Sequence, residues 1–249
     1  MTVHWIEGVA DRSVDIGARL ATDVRLDEAI ALRRCAMYRT AFRGAAVGYP
    51  AEAMRRDAIA GWMRRQGVTV DVARVDDLDW TAVAGIHPSH IVMHEFDEVS
   101  GPLALGYGVS RVIVDSAEQM AILRTSSTRP QGVLVDITDG HVDPAIVADR
   151  RVRLDGLHCG TDGADTAALS EILFGMIAEM ALISRERAAV MSRLSVGDVD
   201  LTDGDDDPRS LRRVAQTIDE VVEDACVRFR CPRPALTVSP RTSTLLPAA

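Results

Sequence analysis

Arg111-Val112-Ile113-Val114-Asp115-Ser116-Ala117-Glu118-Gln119-Met120 is a short β-branched run that stops at Asp-Ser and passes into a helical segment. A strand that is apolar on consecutive positions, rather than on every second one, is expected where both faces of a sheet are covered. The same unit recurs along the chain. Comparable runs stand at Ala45 to Tyr49, Val68 to Ala73, Ile91 to Glu95, Val133 to Thr138, Leu154 to Cys159, Leu194 to Val199 and Leu236 to Ser239, which with Arg111 to Asp115 gives eight strand candidates. Eight alternations of strand and helix point to an α/β fold, a (β/α)8 TIM-like barrel in a single domain, with a doubly wound open sheet as the other arrangement the pattern allows.

The helices between the runs are legible too. Asp27 to Phe42 reads as a helix leading into the first strand, after an N-terminal extension over residues 1–24; the barrel is expected over 25–249. Leu169, Ile172, Leu173, Met176, Ile177 and Met180 follow helical spacing and give one long apolar face. Asp203 to Asp207 reads as a solvated acidic turn before a helix from Pro208 to about Val227, with proline in its first turn.

Composition bounds the function. The 249 residues, 47% hydrophobic with a net charge of −9, suffice for a large core and give nucleic acid or an anionic membrane surface little to bind. All 28 basic residues are arginine and the chain holds no lysine at all. Cys35, Cys159, Cys226 and Cys231 lack a metal-like CxxC pair, and the N-terminus lacks a signal-peptide pattern, so a cytoplasmic protein with reduced thiols is expected. The longest apolar runs are interrupted by Arg, Asp or Glu before reaching the ~20 residues that span a bilayer.

Four strand tips carry a resemblance. Tyr49-Pro50-Ala51-Glu52-Ala53-Met54, Asp71-Val72-Ala73-Arg74 followed by Asp77-Leu78, Val114-Asp115-Ser116-Ala117-Glu118-Gln119-Met120 and Gly156-Leu157-His158-Cys159 occur in this order. They resemble Tyr-Ala-Val-Lys-Ala-Asn, Asp-Val-Ala-Ser with Glu-Leu, Val-Asp-Ser-x-x-Glu-Leu and Gly-Leu-His-Cys in the barrel domain of fold-type III pyridoxal phosphate enzymes, the group of diaminopimelate and ornithine decarboxylases and alanine racemase. The resemblance runs from about Arg25 to Arg241.

The departures fall on the chemistry that the resemblance implies. Glu52 stands where the Schiff-base lysine belongs, and a carboxylate cannot condense with an aldehyde. Gly160 aligns with the imidazole that stacks on the cofactor, with Thr161, Asp162 and Gly163 breaking the motif beyond it. The glycine-rich phosphate loop is reduced to Gly197-Asp198-Val199, whose carboxylate repels a phosphate. Ser239-Pro240-Arg241 replaces Glu-Pro-Gly-Arg, so the partner of the pyridine nitrogen is missing. The chain ends soon after, and the C-terminal β domain of the decarboxylases is expected to be absent. A protein that binds no cofactor is therefore expected.

Acidic and imidazole groups remain at the C-terminal strand ends, where barrel enzymes carry their sites: Glu52, Asp71, His94, Glu95, Asp136, His158 and Asp198. Glu52, Asp71, Asp136 and His158 are the candidate acid/base groups of a cofactor-independent or metal-assisted enzyme; the alternative is a decayed pocket whose polar groups bond one another. His158 is the strongest single candidate. His90 and His94 lie roughly 13 Å apart along an extended strand, too far to share an ion with ligand bonds of about 2 Å, so His87 and His90 are assigned to the opposite mouth and no metal is expected. Asp71 and Asp115 also suit a helix cap or βα loop. Tyr49, Trp80 and Phe96 read as packing aromatics, and Arg33-Arg34, Arg55-Arg56, Arg64-Arg65 and Arg212-Arg213 as solvated helix faces. The resulting expectation is a catalytically inactive relative of the decarboxylase barrels, a binding or regulatory protein that forms a homodimer or hetero-oligomer and takes a small molecule at the barrel mouth.

Overall fold

The computed structural model describes residues 27–127, 131–140, 142–149, 152–162, 164–188, 190–200 and 207–246. The expected extension over residues 1–24, Gly163, and all of the acidic turn but Asp207 lie outside them.

A helix over residues 27–41 (α1) precedes the barrel. Strands and helices then alternate: β1 Ala46–Pro50, α2 Asp57–Gln66, β2 Thr69–Val72, α3 Asp76–Val83, β3 Ile91–Met93, α4 Ser100–Tyr107, β4 Arg111–Val114 and α5 Ala117–Ser126. They continue as β5 Gly132–Asp136, α6 Pro144–Ala148, β6 Arg153–Gly160, α7 Thr166–Arg187, β7 Arg193–Val199, α8 Pro208–Phe229, β8 Ala235–Pro240 and α9 Thr242–Leu245. All neighbouring strands are parallel, and β8 returns to β1 through Ala46 opposite Thr237 and Val47 opposite Val238. That closure makes a (β/α)8 barrel and excludes the open sheet.

Each strand's outward side chains meet the helices. Tyr49 faces out, its hydroxyl donating to the Cys35 carbonyl of α1 at 2.7 Å and its ring edge-on to Trp62. Ile91 and Met93, Val112 and Val114, and Val133 and Val135 join the same continuous core, whereas Val92, Ile113 and Leu134 form a small separate cluster. By strand alternation those three point into the barrel, and so do Gly48, Asp71, His158, Ser195 and Ser239. The lumen is thus apolar on one side and polar on the other.

Local chemistry sets the turns. Asp207 caps α8 by accepting from the N–H groups of Arg209 and Ser210 at 3.0 and 3.1 Å, with Pro208 at the first helical position. Ser116, not Asp115, caps α5: its hydroxyl accepts from Gln119 N–H, and Gln119 Oε1 accepts from Asp115 N–H. At Gly156 a Cβ would overlap the Arg193 carbonyl of the adjacent strand, so glycine is required where β6 breaks register with β5.

Helix α7 corrects one reading of the sequence. It runs unbroken for 22 residues and is, by length and composition, apolar enough to cross a membrane in spite of Glu171 and Glu179. Leu169, Leu173, Met176, Ile177 and Met180 on it are buried in the core. Trp80 likewise is not a core residue; it stands 45% exposed on α3.

Candidate ligand site at the barrel mouth

The C-terminal ends of the strands enclose a cavity of about 210 Å³. The end of β1 and the turn after it bring Pro50, Ala51 and Glu52; β2 brings Asp71 and the residue Ala73 beyond it; α3 contributes Asp77; His94 follows β3; His158 comes from β6, Gly197 and Asp198 from β7, and Ser239, Pro240 and Thr242 from β8 and beyond. Glu52 sits in a single 3-10 turn, Ala51–Arg55, with its side chain exposed while Ala51, Ala53 and Met54 are buried beside it.

A polar chain crosses the lumen. Ser239 Oγ donates to Asp71 Oδ2 at 2.5 Å, and His94 Nε2 approaches Asp71 Oδ1 at 3.5 Å without closing a hydrogen bond. The His94 and His158 rings meet edge-on with centroids 5.1 Å apart, and His158 Nδ1 pairs with Ser195 Oγ at 3.1 Å. Burial, with His94 beside it, pushes His158 down to about 4, against the opposing pull of Asp136 and Asp71. His158 is therefore a neutral imidazole at neutral pH. Arg111 is also within electrostatic range of Asp71; burial, then Arg193, holds its guanidinium below the ordinary value.

The structure brings Glu52, Asp71, His94, His158 and Asp198 together as the strand-tip reading expected. Asp136 stands apart from that cavity. Its Oδ1 accepts from Thr138 N–H at 2.7 Å and from Thr138 Oγ1 at 2.5 Å, and Thr138 Oγ1 in turn accepts from Gly160 N–H at 2.8 Å. Asp136 thus fixes the β5 exit loop against β6. Glu95 is exposed and does not line the cavity. His87 caps the short turn Pro88–His90 ahead of β3, at the opposite mouth as expected. Asp198 holds the backbone in the left-handed region at φ +55°, one that Asp tolerates better than most residues. Arg241 forms an ion pair with Asp162. Among the described residues, no three His, Cys, Asp or Glu side chains converge closely enough to hold a metal ion.

Two residues escaped the sequence reading as site groups. Ser195 looked like one more position in an apolar strand, and only the alternation of β7 turns it inward to His158. Asp77 read as a motif match; it is 3% exposed and faces the Arg55 guanidinium at 3.7 Å.

Comparison with known proteins agrees with this architecture. The family described as pyridoxal-dependent decarboxylase, pyridoxal binding domain, matches residues 29–143. Diaminopimelate decarboxylase of Actinosynnema pretiosum is 31% identical over 135 residues, covering 53% of this chain and 31% of that protein. The Mycobacterium tuberculosis diaminopimelate decarboxylase is 27% identical over an alignment covering 86% of this chain and 58% of its own. The chain is a homologue of the pyridoxal-dependent amino-acid decarboxylases. Solved structures show the same fold for this decarboxylase homologue. Diaminopimelate decarboxylase of M. jannaschii superposes with TM-score 0.75 at 15% identity, over 88% of this chain and 60% of that one. An arginine decarboxylase of Paramecium bursaria Chlorella virus, solved with agmatine, does so with TM-score 0.73 at 12% identity, over 88% and 64%. The homologue therefore spans about three-fifths of these solved relatives.

The cofactor of that family can be tested against the residues present. The 249 residues contain no ε-amine, the residue matched to the Schiff-base position is Glu52, and the β7 tip that would meet a phosphate carries Asp198 on the cavity. Ser239, at the position matched to the pyridine partner, is committed to Asp71. The donor set does not fit pyridoxal phosphate held as a lysine aldimine.

Proposed function

We propose that this decarboxylase homologue has left aldimine chemistry and acts as a binding or regulatory protein that receives a small molecule at the barrel mouth. The observation that carries the reading is the loss of every side-chain amine: no lysine in the chain, and a carboxylate at the Schiff-base position, exposed at the mouth. The relatives are decarboxylases by name, and their activity does not transfer to a chain whose site lacks the nucleophile. The protein works in the cytoplasm, as a homodimer or with another chain. Trp80 and Val83 on α3 and Leu103 on α4, exposed by 45, 82 and 59%, are apolar side chains available for such a contact. The test is an assay of the purified chain with pyridoxal phosphate and diaminopimelate, ornithine or lysine: no carbon dioxide release above free cofactor is expected, and turnover well above it contradicts the proposal.

A second reading is favoured by one specific arrangement. Asp71 lies 3.5 Å from His94, and the neutral His158 is held by Ser195. A carboxylate beside an imidazole, with a second imidazole held in place by a serine, supplies the parts of general acid/base catalysis. A cofactor-independent enzyme would lose its turnover in His158→Gln, whereas a binding protein has none to lose.

A further inference from the structure

Two of the four cysteines, Cys226 and Cys231, stand at the end of α8, far from the mouth residues in sequence and on the link to β8. The helix stops there in a turn closed by two backbone bonds. Cys231 N–H donates to the Cys226 carbonyl at 3.2 Å and Arg230 N–H to the Val227 carbonyl at 3.4 Å, with Arg230 in the left-handed region at φ +52°. That pair of bonds is the Schellman motif, in which the side chains of its first and last residues commonly meet. Here those two residues are both cysteine.

The turn holds the thiols together. They are hydrogen-bonded to one another, and the 3.2 Å backbone bond keeps the two Cα atoms within roughly 7 Å, the reach of a disulfide. Cys226 is buried in the core, whereas Cys231 is partly exposed at its edge. Burial, then Cys231, pushes the Cys226 thiol up to about 11, with Arg233 pulling the other way from its ion pairs to Asp219 and Glu223. Cys226 thus stays protonated at neutral pH, and Cys231 is the sulfur that an oxidant in solution meets.

We propose that Cys226 and Cys231 form a reversible thiol-oxidation site, closing to a disulfide that staples the C-terminal turn of α8, with a low-molecular-weight disulfide as the oxidant. The Cys231 thiolate attacks one sulfur of that disulfide, and a mixed disulfide forms as the first small thiolate leaves and takes up a proton. Cys226 then loses its proton to water and its sulfur attacks Cys231, releasing the second small thiol. Two protein thiols are oxidised by two electrons, and one small disulfide is reduced to two thiols. The inference uses no residue of the mouth and holds whatever that cavity binds. Cys35 on α1 and Cys159 on β6 are buried in the core and provide internal controls.

Incubation of the full chain with oxidised glutathione, alkylation of the remaining thiols in denaturant and peptide mass mapping test this. The expected product lacks two hydrogens, carries no glutathione, links Cys226 to Cys231, leaves Cys35 and Cys159 alkylated, and is fully reversed by dithiothreitol. Cys226→Ser is expected to stop at the mixed disulfide on Cys231. In Cys231→Ser the oxidation of Cys226 is expected to slow by at least about tenfold, because the remaining thiol is buried and protonated. A parent that keeps all its thiols, glutathione retained on Cys231 of the parent, copies cross-linked through Cys231, or oxidation of Cys35 or Cys159 ahead of the pair overturns the inference. The deciding readout is made on the parent chain, so it stands whether or not either variant folds.

Discussion

Ser239 on β8 donates a 2.5 Å hydrogen bond to Asp71 on β2, and the strand between them carries Gly48, where a Cβ would overlap both partners. The pair closes the lumen beneath the mouth cavity at the position matched to the family's pyridine partner. Gly48→Ala is expected to destabilise the chain by about 2 kcal/mol through overpacking, and Ser239→Ala by about 1–2 kcal/mol through the loss of a donor to a carboxylate. Because the residues touch, the double variant is expected to cost less than the two single losses together. Urea unfolding midpoints with unchanged slopes check this; strict additivity contradicts the shared contact.

His158 makes stability depend on pH. Its folded value, about 4, lies below the ordinary imidazole value of 6.5 because burial disfavours the cation. The unfolded chain therefore binds the extra proton first, so this contribution is full above about 6.5 and is lost as pH falls from there through about 4. Unfolding midpoints at several pH values across that window are expected to fall with pH in the parent and more shallowly in His158→Gln. Equal slopes contradict a buried neutral His158.

Gly156 is the most exacting position of β6. A Cβ there meets the backbone carbonyl of Arg193 rather than the end of a flexible side chain, so β6 and β7 must separate to admit it. Gly156→Ala is expected to cost about 3 kcal/mol, read as a lowered thermal midpoint, while Gly175→Ala on α7, where a Cβ meets no atom within 4 Å, is expected to be neutral or stabilising. Equal effects contradict the close approach at β6.

The fold was legible because eight β-branched runs kept their spacing, and each proved to be a strand within a residue or two of its expected bounds. The site was legible in part. Glu52, Asp71, His158 and Asp198 could be placed because strand tips of a barrel share one face, whereas Asp136 could not, since a strand-end aspartate followed two residues later by threonine can turn back on its own loop. Ser195 and Asp77 gave no sequence signal of their own. Whether an inward position reaches the lumen or a cavity wall is decided by strand tilt and register, including the shift between Val133 and Leu134, which single-chain periodicity does not carry.

Repairing one residue is not expected to restore the family's chemistry. Glu52→Lys supplies an amine but leaves Asp198 at the phosphate position, Gly160 in place of the stacking imidazole and Ser239 bound to Asp71. Groups that act as one site lose and regain rate together. Decarboxylation of diaminopimelate, ornithine or lysine by Glu52→Lys is expected to match free cofactor; a clear rise above it contradicts the account of the three other positions.

No side chain of this barrel is expected to hold pyridoxal phosphate as an aldimine, because the chain has no lysine. Borohydride reduction of the purified chain after incubation with pyridoxal phosphate, followed by peptide mass mapping, tests it most directly. The expected result is reduced cofactor on the N-terminal amine alone and none on any peptide of the barrel, including the one that carries Glu52. Cofactor covalently attached to a residue lining the mouth cavity contradicts the claim.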